Sequence, residues 1–129
     1  MILVDSSGWI EYYVNGALAE RYASYLSSSK EVLTPSVVLY EVYKILKSRA
    51  GKEEALLAAA QMGETNVVWL SDSLAYQAAD ISIKYGLPMA DSIIYATAVD
   101  HGVKLVTSDA DFKELPNVLY LDPENEKDL

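Results

Sequence analysis

Short apolar runs alternating with stretches of helical length constrain this chain more than any other feature of its sequence. Ile2–Val4 reads as a buried strand, and helical stretches are expected over Gly8–Asn15 and Ala17–Ser28, either side of an Asn-Gly break. A strand over Glu31–Leu33 is closed by Thr34-Pro35 and leads into a long helix, Ser36–Ala50, stopped by Gly51. A helix over Lys52–Met62 and a strand over Asn66–Leu70 follow. Helices over Ser73–Tyr85 and Met89–His101 flank Gly-Leu-Pro. A strand over Lys104–Thr107, a short helix over Ala110–Leu115 and a strand over Val118–Leu121 complete the series. Strands this apolar need cover on both faces. The pattern therefore predicts an α/β fold, a three-layer α/β/α sandwich around a short-stranded, mainly parallel sheet. At 129 residues, with no repeat or linker, the chain reads as one domain over residues 1–123. Residues 124–129 form an acidic tail that is expected to fray.

Absences narrow the chemistry. Without cysteine, disulfides and thiolate zinc sites are impossible, and one histidine cannot furnish a His-rich zinc site or an acid–base pair. That residue, His101, precedes Gly102, the usual pairing of a helix's last turn with its stop. Carboxylate is what the chain has in quantity: 19 Asp and Glu against 10 Lys and Arg, a net charge of −9. This is the opposite of the basic footprint of nonspecific nucleic-acid binding. Ala55–Ala60 is too short to span a bilayer, and Asp5 interrupts the apolar Met1–Val4 run at once. The expectation is a soluble, cytoplasmic protein with no membrane association.

Sites in parallel sheets form beyond the carboxyl ends of the strands, so acids placed there are the ones to weigh. Asp5 directly follows the first strand, with Ser6 and Ser7 behind it. A helix N-cap would explain it. Asp109 follows the Lys104–Thr107 strand in the same way, although a cap needs one acceptor and this turn supplies Thr107, Ser108, Asp109 and Asp111. Glu41 falls between Val37 and Ile45 in helical projection, at the margin of an apolar face whose solvated side belongs to Tyr40, Lys44 and Lys47. It could equally pair with Lys44 or Arg49. Asp91 shares a face with Ile94, Tyr95 and Ala98, and could simply complement the helix dipole.

Together the four suggest more than four local explanations. Two carboxylates ~4 Å apart repel by about 4 kcal/mol at an effective dielectric of about 20. A domain stabilised by only ~5–15 kcal/mol holds several such pairs only with a cation present or with shifted pKa values. Oxygen-only ligands select a hard ion, Mg²⁺ or Mn²⁺. In-line attack of water on a phosphodiester suits such a site and needs no histidine.

In order and spacing, Asp5-Ser6-Ser7, Glu41, the segment Ala90-Asp91-Ser92-Ile93-Ile94-Tyr95-Ala96-Thr97-Ala98 and Thr107-Ser108-Asp109-Ala110-Asp111-Phe112 resemble the motifs of PIN-domain (PilT N-terminal) nucleases. The likeness covers nearly the whole chain, and its compact size is similar to the VapC toxins of toxin–antitoxin pairs. It implies a PIN-like fold and an Mg²⁺- or Mn²⁺-dependent endoribonuclease acting on RNA. It also implies a homodimer silenced by a small antitoxin. Carried over by position, Asp5, Glu41, Asp91 and Asp109 form the catalytic and metal-binding quartet. Ser7 and Thr107 orient it, and Asp111 is a further acid.

Lys44, Lys47 and Arg49, with Lys52 beside them, read as a solvated helix end or as phosphate contacts. Trp9, Tyr12, Tyr13, Tyr22 and Tyr25 read as core and rim, or as a partner-binding surface on the first two helices. Two other functions fit the α/β pattern: an RNA-processing nuclease of the same family without an antitoxin, and an acidic receiver-like signalling domain. A receiver would need an acidic pair after the first strand, where Asp5 is instead followed by serines.

Overall fold

A computed structural model describes residues 1–123, so the acidic tail lies outside the described residues. Five strands form one parallel sheet: β1 (Ile2–Val4), β2 (Val32–Pro35), β3 (Asn66–Val68), β4 (Lys104–Thr107) and β5 (Val118–Tyr120). The order is β3-β2-β1-β4-β5. The central strand pairs Leu3 with Leu33 on one side and with Leu105 on the other. Six helices cover the sheet: α1 (Ser6–Tyr13), α2 (Ala19–Leu26), α3 (Ser36–Arg49), α4 (Lys52–Gly63), α5 (Asp72–Tyr85) and α6 (Met89–Asp100). This is the α/β/α sandwich expected. A receiver-type sheet runs 2-1-3-4-5, so this strand order removes the receiver reading. The order reverses between β1 and β4, and the crevice at such a reversal is where open α/β sheets place their sites.

Local chemistry explains where the elements stop. Asn15 takes a positive φ of 55° after α1. The Glu11 carboxylate then receives the Leu18 N–H (3.1 Å), so residues 16–18 are spent in a turn and α2 begins only at Ala19. Ser71 Oγ caps α5 by accepting from the Leu74 N–H, and Gly86, at φ 71°, stops it. α6 ends with His101, whose Nδ1 lies 3.0 Å from the Thr97 carbonyl, and with Gly102 at φ 64°. His101 is thus a helix-end residue.

Helix ends shift by about two residues in α1, which runs Ser6–Tyr13 rather than Gly8–Asn15, and in α2, and three further boundaries differ from expectation. β2 runs through Pro35, which pairs with Val68. The β1–β2 register has already ended at Leu33, so proline's missing N–H removes no bond on that side. β3 ends at Val68, leaving Trp69 74% exposed and Leu70 outside the sheet. The expected helix after β4 is a single 3₁₀ turn, Ala110–Phe112, anchored by the fully buried Phe112.

The main core gathers β1, β2 and β4 with one stripe of α1, α2, α3, α4 and α6, as in Val38, Val42 and Leu46 of α3, while Leu74 and Ala78 of α5 form a smaller cluster with Ile93 and Ala96 of α6. α6 is more deeply placed, buried continuously from Ser92 to Ala98. Its small residues, Ser92, Ala96 and Ala98, let neighbouring elements approach closely. Helices antiparallel to the strands begin at the sheet's carboxyl edge. α1, α3 and α6 therefore all present their first turns there.

Candidate active site

Asp5 leaves β1 and enters the sheet's interior layer, where it is 2% exposed. Its Oδ1 accepts the Gly8 N–H at 3.1 Å, capping α1. Its Oδ2 accepts the hydroxyls of Ser7 (2.8 Å) and Thr107 (2.7 Å). Burial pushes the Asp5 carboxyl up to about 6, with Asp109 adding to the effect, although the three hydrogen bonds favour the ionised form. Thr107, fully buried, donates to Asp5 and accepts the Asp109 N–H at 2.9 Å. Asp109 Oδ1 in turn accepts the Asp111 N–H at 2.9 Å and caps the 3₁₀ turn.

The turn after β4 thereby meets the first turn of α6. Asp91, Asp109 and Asp111 each place one carboxylate oxygen within 4.8 Å of the others. Asp91 is pushed up to about 6, first by its partial burial and then by Asp109, Glu41, Asp111 and Asp5 in that order. The other four acids are therefore all in electrostatic reach of Asp91, and Asp109 is also in reach of Asp5. Glu41, in the second turn of α3, is held from α1: Ser6 Oγ donates to its Oε1 at 2.8 Å.

A donor set of oxygens alone, with like charges this close, fits a hard divalent cation. The tightest three are Asp91, Asp109 and Asp111, so Asp111 sits nearer the centre than a supporting acid would. Asp5 and Asp109 each cap a helical turn, a role compatible with the acidic cluster that Asp109 shares with Asp91 and Asp111.

The structure gives site roles to three residues that the sequence had only grouped with their neighbours. Ser6 fixes Glu41, and Ser108 Oγ lies 2.8 Å from the hydroxyl of Tyr22. Tyr22 is fully buried and its hydroxyl is pushed upward, mainly by burial and next by Asp5. The serines following Asp5 were a visible signal for Ser6, whereas nothing local marked a tyrosine 17 residues downstream.

The aromatic surface of the first two helices needs correcting. Trp9 and Tyr22 are fully buried, because α1 and α2 turn these residues into the core. Tyr12, Tyr13 and Tyr25 remain half-buried, and Tyr13 donates to Gln61 of α4. Among the basic residues, Lys44 packs over the Tyr40 ring and Lys47 over Tyr43, both exposed. Along α3, Lys47 and Arg49 stand about 9 and 12 Å beyond Glu41, leaving Lys44 the closest of these three to it.

The PIN-domain model matches residues 2–118. The chain belongs to the PIN-domain family. A search of curated proteins found no match. Among solved structures, the fold is similar to a toxin–antitoxin complex from Klebsiella pneumoniae (22% identity, TM-score 0.78, covering 95% of this chain and 98% of that one). It is also similar to a sarcin–ricin-loop-cleaving VapC toxin from Mycobacterium tuberculosis (23%, 0.76, 92% and 97%). A third similar structure is DNA-bound VapBC from Salmonella typhimurium (18%, 0.72, 95% and 99%). In this PIN domain the five acids stand at the carboxyl edge of the sheet, around the β1–β4 crevice. Among the described residues, no helix is long and apolar enough to cross a membrane.

Proposed function

We propose that this PIN domain is an Mg²⁺- or Mn²⁺-dependent endoribonuclease, the toxin of a toxin–antitoxin pair, acting in the cytoplasm. The observation that carries the reading is the convergence of Asp91, Asp109 and Asp111 oxygens within 4.8 Å, with Asp5 and Glu41 in electrostatic reach. A cluster this repulsive is the expected partner of a divalent cation. When bound, that ion lowers the pKa of water and offsets charge on the leaving oxygen.

The remaining roles belong to the chain. Asp5, Asp91 and Asp109, with Asp111, supply the ligand oxygens. Ser7 and Thr107 hold Asp5 in one rotamer, which protects the ligand spacing that affinity requires. Glu41, fixed through Oε1 by Ser6, keeps Oε2 to accept a proton from the attacking water. Of these α3 cations, Lys44 offers the nearest positive charge to an incoming RNA phosphate, with Lys47 and Arg49 further along the same helix.

Net charge of −9 leaves unaided RNA affinity low, so the ion also serves to draw the backbone in. A homodimer and a small antitoxin are the partners proposed. The antitoxin's support is the likeness to the Klebsiella toxin–antitoxin complex and to the Salmonella VapBC structure. Its docking face would include Tyr12, Tyr13 and Tyr25, which remain partly accessible.

The test is cleavage of RNA and of single-stranded DNA by purified protein, in Mg²⁺, in Mn²⁺ and in EDTA. Metal-dependent RNA cleavage that Asp109→Asn abolishes supports the proposal. Cleavage undiminished in EDTA refutes it, and preferential DNA cleavage refutes the substrate class.

A further inference from the structure

The Asp109 limb of the site is tied to the rest of the molecule by unequal means. Thr107 bonds Asp5, and the Asp109 N–H returns to Thr107, so that end is held from β1. Phe112 anchors the far end in the core. Between them stands Ser108, whose hydroxyl meets the phenol of Tyr22 from α2 at 2.8 Å, 86 residues away in sequence. Tyr22 is fully buried, so its hydroxyl reaches no solvent.

The route of that ring is built into the fold. A Cβ at Gly8 would stand 2.5 Å from Tyr22 Cε1 and 2.6 Å from Val4 Cγ1. Only a glycine in the first turn of α1 lets the ring pass beneath it towards Ser108. Packing alone could be met by phenylalanine, which would leave the Ser108 hydroxyl without this partner. The oxygen therefore has a role that the ring does not.

We propose that Tyr22 is a positioning residue. Through Ser108 it sets where the Asp109–Asp111 turn stands relative to Asp5 and Asp91, and hence the spacing of the ligand oxygens. The inference rests on the metal-site reading above. Partners bonded directly to metal ligands typically change affinity 10- to 100-fold when lost, and Tyr22, which acts one residue further out through Ser108, belongs at the low end of that range.

The experiment is Mn²⁺ titration by calorimetry on the full chain, with Tyr22→Phe, Ser108→Ala, their double variant, Ser108→Thr and Asp109→Asn. Tyr22→Phe and Ser108→Ala should each weaken Mn²⁺ binding about tenfold. The double variant should be no weaker than Tyr22→Phe alone, because that change already removes both the hydroxyl and the backbone N–H contact of Ser108, whereas Ser108→Ala removes only the first. Ser108→Thr keeps the hydroxyl and should hold wild-type affinity, which guards against misreading a folding defect in Tyr22→Phe.

If wild type binds Mn²⁺, Asp109→Asn loses it and Tyr22→Phe and Ser108→Ala bind as wild type, the positioning role is refuted while the metal site stands. Additive losses in the double variant refute it as well. If wild type fails to bind Mn²⁺ at all, the metal reading falls and the inference with it.

Discussion

Replacing Asp91 by asparagine should stabilise the metal-free protein while ending its activity. Asp91 carries no hydrogen bond that asparagine would break, and its carboxyl is raised from 3.8 to about 6 by burial and four neighbouring acids. Fully buried, that displacement would correspond to about 3 kcal/mol. Asp91 is only partly buried, so solvent screening leaves about 1.5 kcal/mol. Against this, Asp91 stands in the first turn of α6, and losing its charge forfeits about 0.5 kcal/mol of dipole interaction. The net gain is about 1 kcal/mol, or roughly 4 °C in melting temperature.

The pH dependence follows from a carboxyl that binds its proton more tightly folded than unfolded. Wild type loses stability as pH rises from about 4 to about 6 through both Asp5 and Asp91, and the asparagine variant keeps only the Asp5 part of that loss. The variant's advantage should thus be complete above pH 6 and absent below pH 4. Mg²⁺ or Mn²⁺ should raise the melting temperature of wild type more than that of the variant, since only the intact site holds the ion tightly. Asp72→Asn, exposed at the start of α5 and outside the cluster, is the control and should neither stabilise nor inactivate. Thermal melts in EDTA at pH 7.5 and pH 4, with RNA cleavage alongside, make the test. An Asp91→Asn protein that melts lower than wild type at pH 7.5 and still cleaves would show Asp91 to be only a helix-start acid.

Gly8→Ala should cost about 1–3 kcal/mol, lowering the melting temperature by roughly 4–12 °C, because its Cβ overlaps Tyr22 and Val4. Calorimetry reads it, and an unchanged melt would mean the ring has room to move. Thr107→Val removes the donor to Asp5 and the acceptor for the Asp109 N–H, and should reduce cleavage at least tenfold with the fold intact by circular dichroism. Lys44→Ala should weaken RNA binding more than Lys47→Ala or Arg49→Ala, measured by fluorescence anisotropy with Ca²⁺ replacing the catalytic ion. Equal effects at all three would move the RNA path along α3.

The sheet was legible because its strands are apolar on both faces; Ile2–Val4 and Lys104–Thr107 match residue for residue. The misread boundaries have a common cause. Trp69 and Leu70 continue the apolar character of β3 without a strand beside them, and pattern alone does not show where a neighbour ends. Pro35 was read as a stop, although a ladder that has already finished on one side tolerates it. Trp9 and Tyr22 were grouped with their neighbours by residue type, whereas helix phase buries these two and leaves Tyr12 at the rim. At the site, the acids could be found because charge at a strand's end is conspicuous. Ser6 was marked by its place beside Asp5, but that it holds Glu41, and that Tyr22 reaches Ser108, could not be read, since a hydroxyl's partner 35 or 86 residues away depends on how three elements meet.

The difficulty of judging each acid alone has a physical origin. In a parallel sheet every strand-to-helix turn lies at the same edge, so helix N-termini and their unpaired N–H groups collect there. Asp5 takes the Gly8 N–H and Asp109 the Asp111 N–H, and each such cap is worth about 1 kcal/mol. Asp91 gains from the start of α6. These local gains offset part of the cost of burial, and of the lesser repulsion from neighbouring acids, that raises Asp5 and Asp91 to about 6. Carboxylates are therefore least costly to assemble at the very edge where the sheet's crevice opens. Helix cap and ligand are consequently not rival assignments for Asp5 or Asp109. What separates a capped turn from a metal site is convergence, and the Asp91, Asp109 and Asp111 oxygens converge from two elements far apart in sequence.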